Sequence, residues 1–345
     1  MNSPFHEAPR ALLSSLGVTV RDQVLAAARL ARTTDALATV AAVTSADTIY
    51  AIDRVGEEAI AEWFAVNWPA DEPVEVVMEG IAEGERLTFP RGTPVETTKW
   101  KVIIDPIDGT RGLMYDKRSA WFLAALAPQK GLATSLADVV VASMTEIPTS
   151  KQWRSDQVSA VRGAGVVAES FDLIRRGRVP LSLQPSRASD LRNGFVSVVK
   201  FFPEGKVLLA RVEEALLQRL GEVGTGVVSM VFDDQYLSSG GQVFELMAGR
   251  DRLVVDLRPL AFRALGLASP LACHPYDICT ALLLEELGGV VEQPDGSPLD
   301  APLDTTTPVA WVGYANRALA ERVRPVLRAV CDELLGGANA GRCEH

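Results

Sequence analysis

The chain is poor in the residues that carry the commonest side-chain chemistry. Its three histidines are His6, His274 and His345, and two of them sit near its ends. A Ser-His-Asp hydrolase therefore has little to draw on. The four cysteines, Cys273, Cys279, Cys331 and Cys343, are too few and too clustered for a disulfide framework in 345 residues. Cys273 and Cys279 flank His274 and Asp277, but with no CxxC pair the spacing is not that of a zinc site. Long apolar runs are missing as well, so no window reaches membrane-spanning length. The start, MNSPFHEAPRALLSSLG, lacks the basic-then-apolar order of a signal peptide. A cytoplasmic protein is expected. Nor is there an excess of positive charge: the balance is −10, which argues against a nucleic-acid polymer or an anionic membrane as partner. That balance suits a site where carboxylates gather around a cation.

What the chain does have is length and ordinary apolar content. With 345 residues, 48% hydrophobic and 23% charged, it can build two packed domains. Its chemistry is concentrated in the stretch WKVIIDPIDGT, residues 100–110. Residues 102–104 read as a buried strand that runs into Asp105, Pro106, Ile107, Asp108, Gly109 and Thr110. Two carboxylates held this close repel each other unless a cation sits between them, and a hard ion such as Mg²⁺ prefers their oxygens. An Asp-Pro turn followed by an Asp-Gly turn accounts for the same letters without a metal.

Around this stretch, residues 20–43 carry Ala, Leu and Val at helical spacing and predict one or two amphipathic helices. Asp53 either caps a helix running from 55 to 64 or folds back toward the central strand. Residues 74–80 form a strand that again ends in an acid, Glu79, and a glycine. Gly84 and the 89–92 turn predict a hairpin, and runs at 121–127, 137–145 and 157–161 read as further strands. The first half is thus helices packed on a mainly antiparallel sheet. A polar, Arg-rich segment at 170–193, punctuated by Pro180 and Pro185, marks a boundary between domains 1–180 and 181–345. Beyond it come a strand at 195–199, a helix at 207–220, and alternating strand and helix signals at 227–232, 242–247 and 253–255. In HPYDICTALLLEELGG, Asp277 opens a helix that Gly288 or Gly289 closes, and its simplest role is the N-cap. The tail from 336 is expected to be disordered.

Taken together, these pieces resemble the inositol monophosphatase family of Mg²⁺-dependent, lithium-sensitive phosphatases. The string DPIDGT at 105–110 matches that family's first signature, and HPYDICTALLLEELGGVV with Asp277 is similar to its second. Glu79 in VVMEG stands where the family has a Gly-Glu-Glu ligand, and 47–53 resembles its upstream Asp-x-x-Thr-x-x-Asp segment. Residues 314–322 resemble its C-terminal strand-to-helix step, and order and spacing hold from about 40 to 330 outside 171–224. The resemblance implies an α/β (α+β) fold, a layered α-β-α-β-α sandwich of the inositol monophosphatase and fructose-1,6-bisphosphatase type. It implies that Glu79, Asp105 and the Ile107 carbonyl hold one Mg²⁺, that Asp105, Asp108 and Asp277 hold another, and that Glu79 supports a third. Mn²⁺ is an alternative ion and Li⁺ an inhibitor. Thr110 and Asp53, with Glu79 beside them, would orient and deprotonate the attacking water, and Asp108, Gly109, Thr110 and Asp277 would receive the phosphate ester. A homodimer is implied as well.

The chain also departs from the pattern. The second glutamate of Gly-Glu-Glu is Gly80, the aromatic before Asp277 is Tyr276 rather than Trp, and Tyr50 and Ile52 replace threonines. Asp256 is the candidate for the family's substrate-binding acid, with more residues between it and Asp277 than inositol-specific members have. After Thr110 come Arg111, Lys117 and Arg118, three cations suited to a second anionic group, or simply to a solvated loop. Lys200 and Lys206 flank a Phe-Phe-Pro turn. The leaving group thus lies among inositol and sugar phosphates, with nucleotide phosphates of the 3′-phosphoadenosine 5′-phosphate type as the alternative. A catalytically silent metal-binding relative is a further alternative.

Overall fold

The computed structural model describes residues 6–30, 40–43, 48–81, 85–222, 230–267 and 271–336. Helix α1 (Glu7–Leu30) buries Leu13, Leu16, Val20 and Val24, the three-four spacing of one apolar stripe. A two-stranded ribbon of β1 (Val40–Val43) and β2 (Thr48–Tyr50) leads into α2 (Ala51–Asn67). The helical reading of 20–43 thus needs correcting at its end: VAAV is a strand, because antiparallel pairing with β2 overrides the helix preference of alanine. Asp47, Gly84, the first half of the expected 227–232 strand and the tail beyond Gly336 lie outside the described residues.

Eight strands follow: β3 (Val74–Met78), β4 (Leu87–Phe89), β5 (Trp100–Asp108), β6 (Ala120–Pro128), β7 (Val141–Ile147), β8 (Arg154–Val161), β9 (Val166–Asp172) and β10 (Arg178–Pro180). They form one sheet in the order β10-β9-β8-β7-β6-β5-β3-β4. Only the β3–β5 pair is parallel, so the expected antiparallel character holds. The short helix α3 (Thr110–Met114) joins β5 to β6. The start of the Arg-rich segment, expected as a boundary from Ser170, still belongs to β9, and β10 pairs with it at the sheet's edge. Polar, exposed residues suit an edge strand, which is why composition alone read them as linker.

A second sheet runs β12-β11-β13-β15-β14, built from β11 (Gly194–Val198), β12 (Val231–Phe232), β13 (Asp251–Asp256), β14 (Val290–Glu292) and β15 (Trp311–Tyr314). Its helices are α4 (Lys206–Arg219), α5 (Ser239–Met247), α6 (Arg258–Ala264), α7 (Pro275–Ile278), α8 (Ala281–Glu286) and α9 (Arg317–Leu335). Asn316 caps α9 by accepting from the Leu319 N–H, while its amide donates to the carbonyls of Ser186 and Ala188. No described helix is long and apolar enough to cross a membrane.

The central strands β5, β6 and β7 of the large sheet are buried on both faces, and alternation along them decides which core each residue joins. Val102, Ile104, Phe122 and Ala124 pack with α1 and α2, whereas Ile103, Trp121, Leu123 and Ala125 pack toward the second sheet. Helices α5, α7 and α8 lie between the sheets, and α4 and α9 cover the far side. The layers run α, β, α, β, α. The site grows where the central strand β5 meets the middle helical layer.

Candidate metal centre and its cleft

Strand β5 does not stop before its acids. Asp105, Pro106, Ile107 and Asp108 are all strand residues, and the register slips between the Asp105–Leu123 and Asp108–Trp121 pairs. The Asp-Pro turn of the turn-and-turn reading is corrected to a bulge, which re-aims side chains without ending the strand, and the chain turns at Gly109. Asp105 Oδ1 accepts from the Ile107 N–H at 2.9 Å. Asp108 points into the start of α5, where it accepts from Ser238 Oγ at 2.8 Å and from the N–H groups of Ser239 and Gly240 at 3.2 and 2.6 Å. Sequence reasoning missed these partners. The run Ser238-Ser239-Gly240-Gly241 before an apolar helix is the signal that was there to find.

Asp277 comes from the other side, on α7. It is not the N-cap: His274 holds that position, and Asp277, three residues on, accepts from the His274 N–H at 2.6 Å. The helix is also shorter than expected, breaking at Cys279 and Thr280 before α8. Asp105, Asp108 and Asp277 each present an oxygen, and these lie within 4.8 Å of one another. Burial raises the Asp105 pKa well above the usual carboxylate range, and the charges of Glu79, Asp108 and Asp277 raise it further. Burial also pushes Asp108 up to about 6, against the pull of Ser238, the α5 N–H groups and Arg258. Acids so placed are short of positive charge, and an all-oxygen donor set fits a hard cation. Glu79 lines the same cleft and is close enough to perturb Asp105, but it stands outside the three-carboxylate cluster.

Next to the cluster, Thr110 Oγ1 lies 2.8 Å from Asp53 Oδ1 and 2.8 Å from the Ile107 carbonyl. A hydroxyl has one proton, so it donates to one acceptor at a time. Asp53 sits in the first turn of α2, so the fold-back reading describes its position and the cap reading does not. Gly109 joins β5 to α3 with φ +98°, and a Cβ there would fall 3.1 Å from the Leu237 carbonyl oxygen and from Ser238 Cβ. At Gly80 a Cβ would collide with the Glu57 carboxyl, so Glu57 fills the space that a side chain at position 80 would need. Burial, then the charge of Asp53, raises Glu57 to about 7.

The open cleft has a cavity volume of about 70 Å³ and is lined by Asp53, Glu79, Asp105, Ile107, Asp108, Gly109, Thr110 and Asp277 together. All eight residues given metal, water or phosphate roles from the sequence therefore reach one cavity. Phe201, Phe202, Arg258, Leu271 and His274 also line it and were not foreseen. Of the three cations after Thr110, Arg111 lines the cleft, whereas Arg118 donates from Nη1 to both oxygens of Asp234 at 2.8 and 2.7 Å. Lys200 pairs with Glu213 and Asp233. Asp256 cannot serve as a substrate-binding acid: it is fully buried, and both its oxygens accept from Arg258.

The comparisons agree with this geometry. SuhB from Bartonella henselae superimposes with a TM-score of 0.62 at 16% identity, over 93% of this chain and 99% of that one. The holo fructose-1,6-bisphosphatase of Leishmania major gives 0.66 at 11% identity, over 96% of each chain. The inositol monophosphatase of Thermotoga maritima gives 0.58 at 16% identity, over 93% of this chain and 97% of that one. No curated relative matches the sequence. The profile of the inositol monophosphatase family matches residues 16–330. The chain belongs to the inositol monophosphatase family, and with it to the metal-dependent phosphatases.

Proposed function

We propose that this protein is a Mg²⁺-dependent phosphatase that hydrolyses a small phosphate monoester with an activated water. The observation that carries the proposal is the convergence of Asp105, Asp108 and Asp277 within 4.8 Å, beside a Thr110–Asp53 hydrogen bond of 2.8 Å. In this reading Glu79, Asp105 and the Ile107 carbonyl hold one ion, Asp105, Asp108 and Asp277 hold a second, and Glu79 supports a third. Mn²⁺ is the alternative occupant. Such ions, when bound, lower the pKa of water, neutralise phosphate and stabilise the leaving oxygen of an in-line displacement.

The remaining steps belong to side chains of the chain. With the Ile107 carbonyl engaged as a ligand, Asp53 is the acceptor left to the Thr110 proton. Thr110 Oγ1 is then free to accept a hydrogen bond from water, which fixes the water's orientation and opens a proton path to Asp53. The left-handed turn at Gly109 lets a phosphoryl group approach the backbone of Gly109 and Thr110 without a Cβ in the way. We further propose a cytoplasmic homodimer, which light scattering would test as a doubled mass.

The experiment is phosphate release in millimolar Mg²⁺, with and without EDTA. The panel holds myo-inositol 1-phosphate, fructose 1,6-bisphosphate, 3′-phosphoadenosine 5′-phosphate and an aryl phosphate. Release that EDTA abolishes is the expected result. No release from any ester, with Mg²⁺ leaving the melting temperature unchanged, would overturn the proposal.

A further inference from the structure

The cleft has a second face that the hydrolytic chemistry leaves unused. Phe201 and Phe202, in the turn after β11, line it together with Arg111, Arg258 and Leu271. The two rings meet edge to face, with centroids 4.9 Å apart and planes at 82°. The Arg258 guanidinium carbon lies 4.8 Å from the Phe201 centroid and 5.9 Å from that of Phe202. Arg111 comes over Phe202 at 5.6 Å. Two rings and two guanidinium groups thus form one continuous surface.

Arg258 decides what this surface recognises. Its Nε and Nη2 donate to Asp256, and its Nη1 donates to the Leu271 carbonyl at 2.7 Å. Three of its N–H groups are engaged in this way, and its charge is balanced by a fully buried carboxylate. The planar face of the guanidinium backs the phenyl rings. Asp256, the acid that the sequence offers for a substrate hydroxyl, is consumed in the same pair. A polyol laid on the phenyl rings would lose water without gaining partners from them for its hydroxyls, a penalty that an aromatic ring avoids.

We infer that this face binds an aromatic or heteroaromatic ring in the alcohol portion of the phosphate ester. Phe201 and Phe202 supply the stacking surface, and Arg258 and Arg111 its cationic backing. The inference rests on the phosphatase reading for the chemistry at the carboxylate end, but ring binding is measurable without turnover.

The test uses non-hydrolysable phosphonates, whose dissociation constants are measured by calorimetry on the whole chain in Mg²⁺. (2-Naphthylmethyl)phosphonate is expected to bind roughly 10-fold or more tightly than propylphosphonate. Phe202→Ala should bring that ratio close to one, and Phe202→Leu, which keeps an apolar contact, should restore only part of it. Equal binding of the two phosphonates, or a ratio unchanged in Phe202→Ala, overturns the inference. So does a panel in which a sugar or polyol ester, bisphosphates included, has a higher kcat/KM than 2-naphthyl phosphate, and that result leaves the phosphatase reading intact. If no ester is hydrolysed but the ratio behaves as expected, the phosphatase reading fails and the ring-binding face stands.

Discussion

Asp105 and Thr110 lie five residues apart, and substituting them should separate two functions. Asp105→Asn removes a carboxylate that the proposal assigns to both principal ions. Turnover should fall by roughly 10³-fold or more. The metal-free variant should melt no lower than the parent, because a carboxyl whose ionisation is opposed by burial and by Glu79, Asp108 and Asp277 has been replaced by a neutral amide. Its melting temperature should no longer rise with Mg²⁺, which stabilises only a folded site that binds it. Thr110→Val should behave the other way: kcat falls by about 10²- to 10⁴-fold while the Mg²⁺-induced rise persists. Calorimetric scans with and without Mg²⁺, set beside phosphate release, check both. These residues were legible in the sequence because two acids, a proline, a glycine and a threonine in six positions make a dense local signal. Glu57, Phe201 and Arg258 were not, since each arrives from a distant element and carries no local pattern.

On the scale of elements, the site depends on how β5 ends and how α5 begins. Strand β5 was recognisable from its three aliphatic residues, but its continuation through Asp105-Pro106-Ile107-Asp108 was not, because the same letters favour turns. Only pairing with β6, which no local pattern encodes, makes them a bulged strand. The start of α5 holds Asp108 in place through Ser238, Ser239 and Gly240. A Cβ at Gly240 would lie 2.5 Å from Leu123 Cδ2 and 2.9 Å from Asp108 Oδ2. Gly240→Ala should therefore destabilise the fold by about 1–3 kcal/mol, the usual scale of overpacking. It should also weaken Mg²⁺ binding roughly 10-fold, a typical effect of disturbing the group that orients a ligand. Calorimetric Mg²⁺ titration reads the second effect separately from the first. An unchanged affinity would mean that α5 does not position Asp108.

For the whole molecule, the pH dependence of stability follows from several buried acids. Asp108 is raised to about 6, Glu57 to about 7, and Asp251 to about 7 by burial and the nearby charges of Glu245 and Asp234. Each binds its proton more tightly folded than unfolded, so each stabilises the fold below the ordinary carboxylate pKa and loses that contribution as pH rises through 6 to 7. Hydrogen bonds lower Glu72, Asp116 and Asp138, from Lys99, Ser150 and Lys130 respectively, so stability also declines in acid. In EDTA the melting temperature should therefore peak in mild acid and fall toward pH ~8. Mg²⁺ should shrink the alkaline fall by the share of Asp105 and Asp108, leaving that of Asp251. A flat profile in EDTA would show that these acids are already compensated.

Trp121 lies opposite Asp108 in the β5–β6 register, 1% exposed, with its indole N–H donating to the Tyr236 hydroxyl at 3.0 Å. Its ring also packs on Phe244 of α5 at a centroid distance of 4.5 Å. The chromophore is thus shielded from water and coupled to both elements that position the carboxylates. Any rearrangement there on cation uptake alters the polarity and quenching around one indole out of the six tryptophans in the chain. The protein carries its own optical gauge of occupancy: emission should change with added Mg²⁺ in the parent, and the change should vanish in Trp121→Phe.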